Sequence, residues 1–166
     1  MIAHQFSRYV LLPADPRNLD LARAWTLADP DHAGQVRPEF WIEQGEGCEA
    51  WLLTDQDGAV FFFKAIIRDG YVEVHIQFPP YPAAAPITDQ MHHRNRLSLA
   101  LVEGMRWFEA RVRIREVRFD SRNPQLIRFA VKHLGFRNEG GQLSKRLEAD
   151  YVRIDRSTEH DSARAN

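Results

Sequence analysis

Between residues 49 and 78 hydrophobic positions fall into three short runs broken by polar pairs. "EAWLLTD", "AVFFFKAII" and "YVEVHIQF" are rich in β-branched and aromatic residues, and Asp57-Gly58 and Asp69-Gly70 separate them. Asp-Gly between strand-like runs suits a tight hairpin, because glycine accepts positive φ without penalty. The pattern predicts a three-stranded antiparallel meander. Ahead of it, "RYVLLPAD" reads as a strand ended by Pro13. In "PRNLDLARAWTLAD" the period changes to that of a helix, with Leu19, Leu21, Ala22, Trp25 and Ala28 on one stripe and Asn18 or Asp20 as cap. "DPDHAGQVRPEFW" is expected to be loop, with a short helix near Phe40.

Four prolines between residues 79 and 86 forbid a central strand or helix there. A long helix is then expected from Arg94 to Ala110, since Leu97, Leu101, Met105 and Phe108 step by four and three. "REVRF" is a short strand reached through a loop and a helix, so it should lie parallel to its neighbour. In "FDSRNPQLIRFAVKHLGF" Ser121 or Asn123 caps a short helix, Pro124 occupies its first turn, and Gly135 stops it. Gly140-Gly141 then joins "FRNEG" to "QLSKRLE" as a closing hairpin. One strand, a helix, three strands, a helix, a strand, a helix and two strands make an α+β domain of three layers, a mixed sheet with helices on its faces. It is expected to span residues 1–150, followed by a polar tail over 151–166.

Composition narrows the partners. A formal net charge of -1 gives no overall field to recruit nucleic acid. No apolar run approaches the roughly 20 residues needed to span a bilayer. The single cysteine, Cys48, excludes an internal disulfide and a cysteine metal cluster. With no signal-peptide pattern at the N-terminus, a cytoplasmic location is expected. Adjacent His92 and His93 lack a carboxylate cluster at ligand spacing, so no metal is expected.

The element order, and "NPQLIRFAVKHLGF" from Asn123 to Phe136 in particular, resembles the GNAT acetyltransferase superfamily over residues 7 to 148. In that family an asparagine after a strand opens a short helix that ends in Lys-x-Leu-Gly-Phe. The resemblance implies a cleft where central parallel strands splay, with acetyl-CoA as co-substrate and an amine as acceptor. It implies that the pyrophosphate lies on the start of the long helix, here the segment Arg94, Asn95, Arg96, Leu97 and Ser98, and that Asn123 stands at the cleft edge. Two departures accompany it. The family's glycine-rich loop is replaced by "HHRNRLSLAL", whose arginines either hold phosphate by side chain or fill the cleft. The tyrosine that protonates the departing thiolate in many relatives is replaced by Ala130 or Val131.

For the chemistry, period-two alternation puts Glu73, His75 and Gln77 on one face of their strand. Glu73 or His75 is the candidate base for deprotonating an ammonium; the alternative is the solvated face of a half-buried sheet. The expectation is an acyl-CoA-dependent N-acyltransferase, with a catalytically silent GNAT-like ligand- or partner-binding module as the competing reading. An apolar edge at the closing hairpin would allow a homodimer.

Overall fold

The computed structural model describes residues 3–111 and 115–147. The expected tail, 151–166, lies outside the described residues. Among the described residues, eight strands form a single sheet: β1 (His4–Phe6), β2 (Tyr9–Pro13), β3 (Cys48–Asp55), β4 (Gly58–Ile67), β5 (Val72–Gln77), β6 (Glu116–Asp120), β7 (Arg137–Glu139) and β8 (Gln142–Arg146). Their order across the sheet is β1-β2-β3-β4-β5-β6-β8-β7. The meander, the parallel β5–β6 step and the closing hairpin match the sequence pattern. The three-residue β1 is an addition: it folds back on β2 through a turn in which Ser7 takes φ 49°.

Turn chemistry sets the meander. Gly70 adopts φ 82° at the β4–β5 turn, a conformation that Cβ disfavours, and the Arg68 amide donates to the Tyr71 carbonyl across it. Phe61, Phe62 and Phe63 are all buried, and alternation sends them to opposite faces of the sheet.

Helix α1 (Leu19–Ala28) covers one face. Its start differs from expectation. Asp15 caps a short 3-10 turn (Pro16–Asn18) through a reciprocal pair of bonds with Asn18, and that turn runs directly into the helix. Trp25 sits edge-on to Phe62, with Ala22, Trp41 and Leu52 around them. The other face carries α2 (Ile87–Glu109) and α3 (Pro124–Phe129), which extends through a π-helical turn to Leu134. Leu101, Met105 and Phe108 of α2 pack there on Val72, Val74 and Val117.

The long helix begins seven residues earlier than the pattern suggested. Its N-cap is Pro86, the last of the prolines. Proline lacks only a backbone N–H that a helix start does not use, so the proline-rich run borders the helix rather than delaying it. No helix among the described residues is long and apolar enough to cross a membrane.

Candidate functional site

β5 is bonded along one edge and parts from its neighbour along the other. On the β4 side it makes six register pairs, from Phe62↔Gln77 to Ile67↔Val72. On the β6 side it makes two, Val72↔Val117 and Glu73↔Arg118. Past Glu73 the two parallel strands separate, because β6 keeps to β8 through Asp120↔Gln142. The gap opens into a cleft of about 730 Å³, a size that suits a small-molecule ligand. Among the described residues, Val74 to Gln77 have no strand partner on that side.

The walls differ in kind. Val74, Ile76 and Phe78 on the β5 side, with Phe119 and Leu126 opposite, give an apolar lining. Asp120, Ser121 and Asn123 edge the far wall, with the Gly140-Gly141 turn beyond. On the α1 side the cleft meets Asp29, His32 and His75.

These polar groups are tied together. Helix α1 stops at Asp29, whose ψ of 113° is the extended conformation favoured before Pro30. Asp29 Oδ1 accepts the Asp31 amide at 2.9 Å, and Oδ2 accepts Gln77 Nε2 at 2.9 Å. Gln77 is fully buried. Its Nε2 also donates to the Phe78 carbonyl at 3.0 Å, and its Oε1 lies 2.7 Å from His32 Nδ1. His32 Nδ1 is in turn 3.1 Å from Asp29 Oδ2.

The two candidates from the strand alternation have separate surroundings. Glu73 does not line the cleft; Arg68 Nε donates to its Oε2 at 2.8 Å. Burial pushes the Glu73 carboxyl up, but the Arg68 hydrogen bond and the charges of His75 and Arg68 outweigh this and hold it below the ordinary range. His75 does line the cleft, edge-on to Phe40 at 5.0 Å. Its Nε2 is 2.9 Å from Glu73 Oε1, yet the approach is poorly directed and leaves that buried nitrogen without a hydrogen bond. Burial lowers the His75 imidazole below its usual value, and the neighbouring Glu73 only partly reverses the effect.

The expected phosphate segment sits elsewhere. Arg94 to Ser98 begin seven residues inside α2, where backbone amides are consumed by the helix itself, and none of them lines the cleft. Arg96 reaches sideways to β3. Its Nε and Nη2 grip Asp55 at 2.8 and 2.6 Å, and Nη2 also donates to the Gly58 carbonyl at 3.0 Å. The arginines therefore do not fill the cleft. Arg94 is exposed, with its guanidinium 5.7 Å from the Tyr81 ring centre. Asn123 does line the cleft, and its Oδ1 accepts the Gln125 and Leu126 amides as the α3 cap.

The fold as a whole has counterparts among solved structures. The fold is that of the GNAT acetyltransferases. The ribosomal-protein alpha-N-acetyltransferase RimL, solved in complex with coenzyme A, is 13% identical with a TM-score of 0.60, and the match covers 90% of this chain and 100% of that one. A GNAT-family acetyltransferase from Bacillus anthracis is 10% identical at TM-score 0.62, covering 87% and 98%. An aminoglycoside N(6')acetyltransferase from Legionella pneumophila is 10% identical at TM-score 0.60, covering 86% and 94%. No family model matches the sequence, and no curated protein matches it. The fold is thus shared at sequence identities of 10–13%. No tyrosine is among the residues that line the cleft; of the two positions expected to replace the family tyrosine, Ala130 is fully buried and Val131 is exposed.

Sequence reasoning missed Asp29, His32 and the role of Gln77. Asp29-Pro30 marks a helix end, but the contact with Gln77 spans 48 residues and has no local signature.

Proposed function

We propose that the protein is an acyl-CoA-dependent N-acyltransferase that moves an acetyl group from acetyl-CoA to an amine. The observation that carries this reading is the β5–β6 seam, which ends after two pairs and leaves a cleft through the sheet. In this reading the pantetheine arm lies along the apolar wall of Val74, Ile76 and Phe119. The unpaired edge of β5 supplies backbone N–H donors for the thioester oxygen, where negative charge develops during attack. Arg94, exposed on the second turn of α2, is the group of its segment free to meet a phosphate, and Asn123 shapes the cleft edge by holding the start of α3. Of the strand pair, His75, whose protonated form burial disfavours, is the member that borders the cleft. Glu73 acts on it by charge and is itself held by Arg68.

One observation favours a catalytically silent binding module instead: no tyrosine or cysteine lines the cleft to protonate a thiolate. Two measurements separate the readings. Coenzyme A should raise the melting temperature, since a ligand specific to the folded state adds about 2.7 kcal/mol at a hundredfold excess over its dissociation constant. Thiol release from acetyl-CoA in the presence of a panel of primary amines then distinguishes turnover from binding. No thermal shift at millimolar coenzyme A sinks both readings of the cleft as a coenzyme site. A shift with no thiol release leaves the silent module.

A further inference from the structure

Resting on that reading, we infer that His32 is the general base of the acceptor half-site, with Asp29 and Gln77 as its positioning residues, and that the acceptor is a cationic primary amine. The hydrogen bonds assign the tautomer. Gln77 Nε2 faces two acceptors, Asp29 Oδ2 and the Phe78 carbonyl, so the carboxamide orientation is fixed and Oε1 must be the atom toward His32. Both neighbours of His32 Nδ1, Gln77 Oε1 at 2.7 Å and Asp29 Oδ2 at 3.1 Å, are then acceptors. Nδ1 must carry the proton. In the neutral ring Nε2 keeps its lone pair, and it bonds to no described residue.

The arrangement is rigid for a loop. Gln77 is wholly buried, Asp29 is pinned by the Asp31 amide, and the His32 ring rests 5.3 Å from the Trp41 ring centre. The His32 ring lines the same cleft as the open edge of β5. The charged and titratable groups around that cleft are Asp29 and Asp31 from the loop after α1, His75 from β5, and Asp120 and Arg122 after β6. Three carboxylates against one guanidinium favour a cationic acceptor over a neutral or anionic one.

His32 Nε2 takes one proton from the ammonium, and the freed amine attacks the thioester carbon. The N–C bond forms, the C–S bond breaks, and the sulfur leaves with the electron pair. A second nitrogen proton is released as the amide forms, one proton ends on the coenzyme thiol, and the imidazolium returns its own to water. Asp29 stabilises the imidazolium during the step.

The test uses the full-length protein, acetyl-CoA and the amine panel, with two independent readouts. His32→Gln should lower kcat by about 100-fold while the coenzyme A thermal shift and the KM for acetyl-CoA stay at the parent values. Asp29→Asn should lower kcat while the KM for acetyl-CoA stays at the parent value; a purely structural role would raise that KM and shrink the coenzyme A thermal shift as well. Nitrogen NMR of the free parent protein should report His32 as protonated at Nδ1 and bare at Nε2. Parent-like turnover in His32→Gln, within threefold, overturns the inference and leaves the transferase reading standing. A protonated Nε2 in the neutral ring does the same whatever the activity. Coenzyme binding with no acylation of any amine by the parent defeats the transferase reading itself, and the base with it.

Discussion

The two edges of β5 belong to one six-residue strand and have opposite fates. Toward β4 every residue from Val72 to Gln77 is paired. Toward β6 the pairing ends after Glu73. The closed edge lies between long strands joined by a tight turn, with phenylalanines filling both faces behind it. The open edge joins β5 to a strand that arrives after a 23-residue helix and is held on its far side by β8. A hairpin fixes its register locally, whereas a parallel crossover has no such restraint and can diverge. One edge therefore carries stability and the other is free to carry function.

The largest expected effect lies on the closed edge. Phe62 is fully buried against Trp25, so Phe62→Ala should cost about 3–5 kcal/mol in urea denaturation. A loss under 1 kcal/mol would mean that the closed edge does not carry the fold. Next is the clamp from α2 to the β3–β4 turn. Arg96 holds the Asp55 carboxyl below its ordinary range, chiefly by hydrogen bonding, and the Asp55 side chain is only 4% exposed. Removing the guanidinium leaves that carboxylate with the Asp57 amide as its remaining hydrogen-bond donor, and Arg96→Ala should cost about 2 kcal/mol. Exposed Arg94→Ala should stay within about 0.5 kcal/mol, so equal losses in the pair would contradict a structural role particular to Arg96.

On the open edge the comparison inverts. Ser121 edges the cleft, and its Oγ accepts one hydrogen bond, from the Asn123 amide at 3.1 Å. Ser121→Trp should cost about 1 kcal/mol of stability, the worth of that bond, yet abolish the coenzyme A thermal shift by filling the gap. A retained shift would remove coenzyme from this cleft.

The sheet was legible in the sequence wherever a local rule governs it. Asp69-Gly70 turned as expected, Asn123 and Pro124 opened α3, and Gly135 closed its π-helical extension at φ 76°. The failures have physical causes as well. Strand β1 has three residues, too few to show a period, and exists because β2 offers an edge. The start of α2 was hidden because four prolines looked like a barrier, while the last of them is a tolerated cap. In the candidate site, alternation placed His75 and Gln77 on the correct face of β5. It did not reveal that Gln77 is tied to a loop residue 45 positions away, since such a contact depends on tertiary packing.

The smallest effect concerns the pH response of His75, which joins the two edges: its strand neighbour on the closed side is Lys64, and its ring borders the cleft. Burial holds the folded imidazole below its ordinary value of 6.5, against the opposing pull of Glu73. Below that ordinary value the unfolded chain takes up a proton that the folded chain refuses. Stability is therefore complete above about pH 7 and declines as pH falls toward the folded value. Glu73, also lowered, adds its own loss only below its ordinary value of 4.5, so the two windows separate. His93 is lowered too, by burial and then by Arg96 and His92, and contributes to the same upper window. His75→Gln should then reduce, without abolishing, the loss of unfolding free energy between pH 7.5 and pH 5.5. An unchanged slope would mean that His75 is solvated like a surface histidine, and the closed edge would not be keeping its ring neutral for the open one.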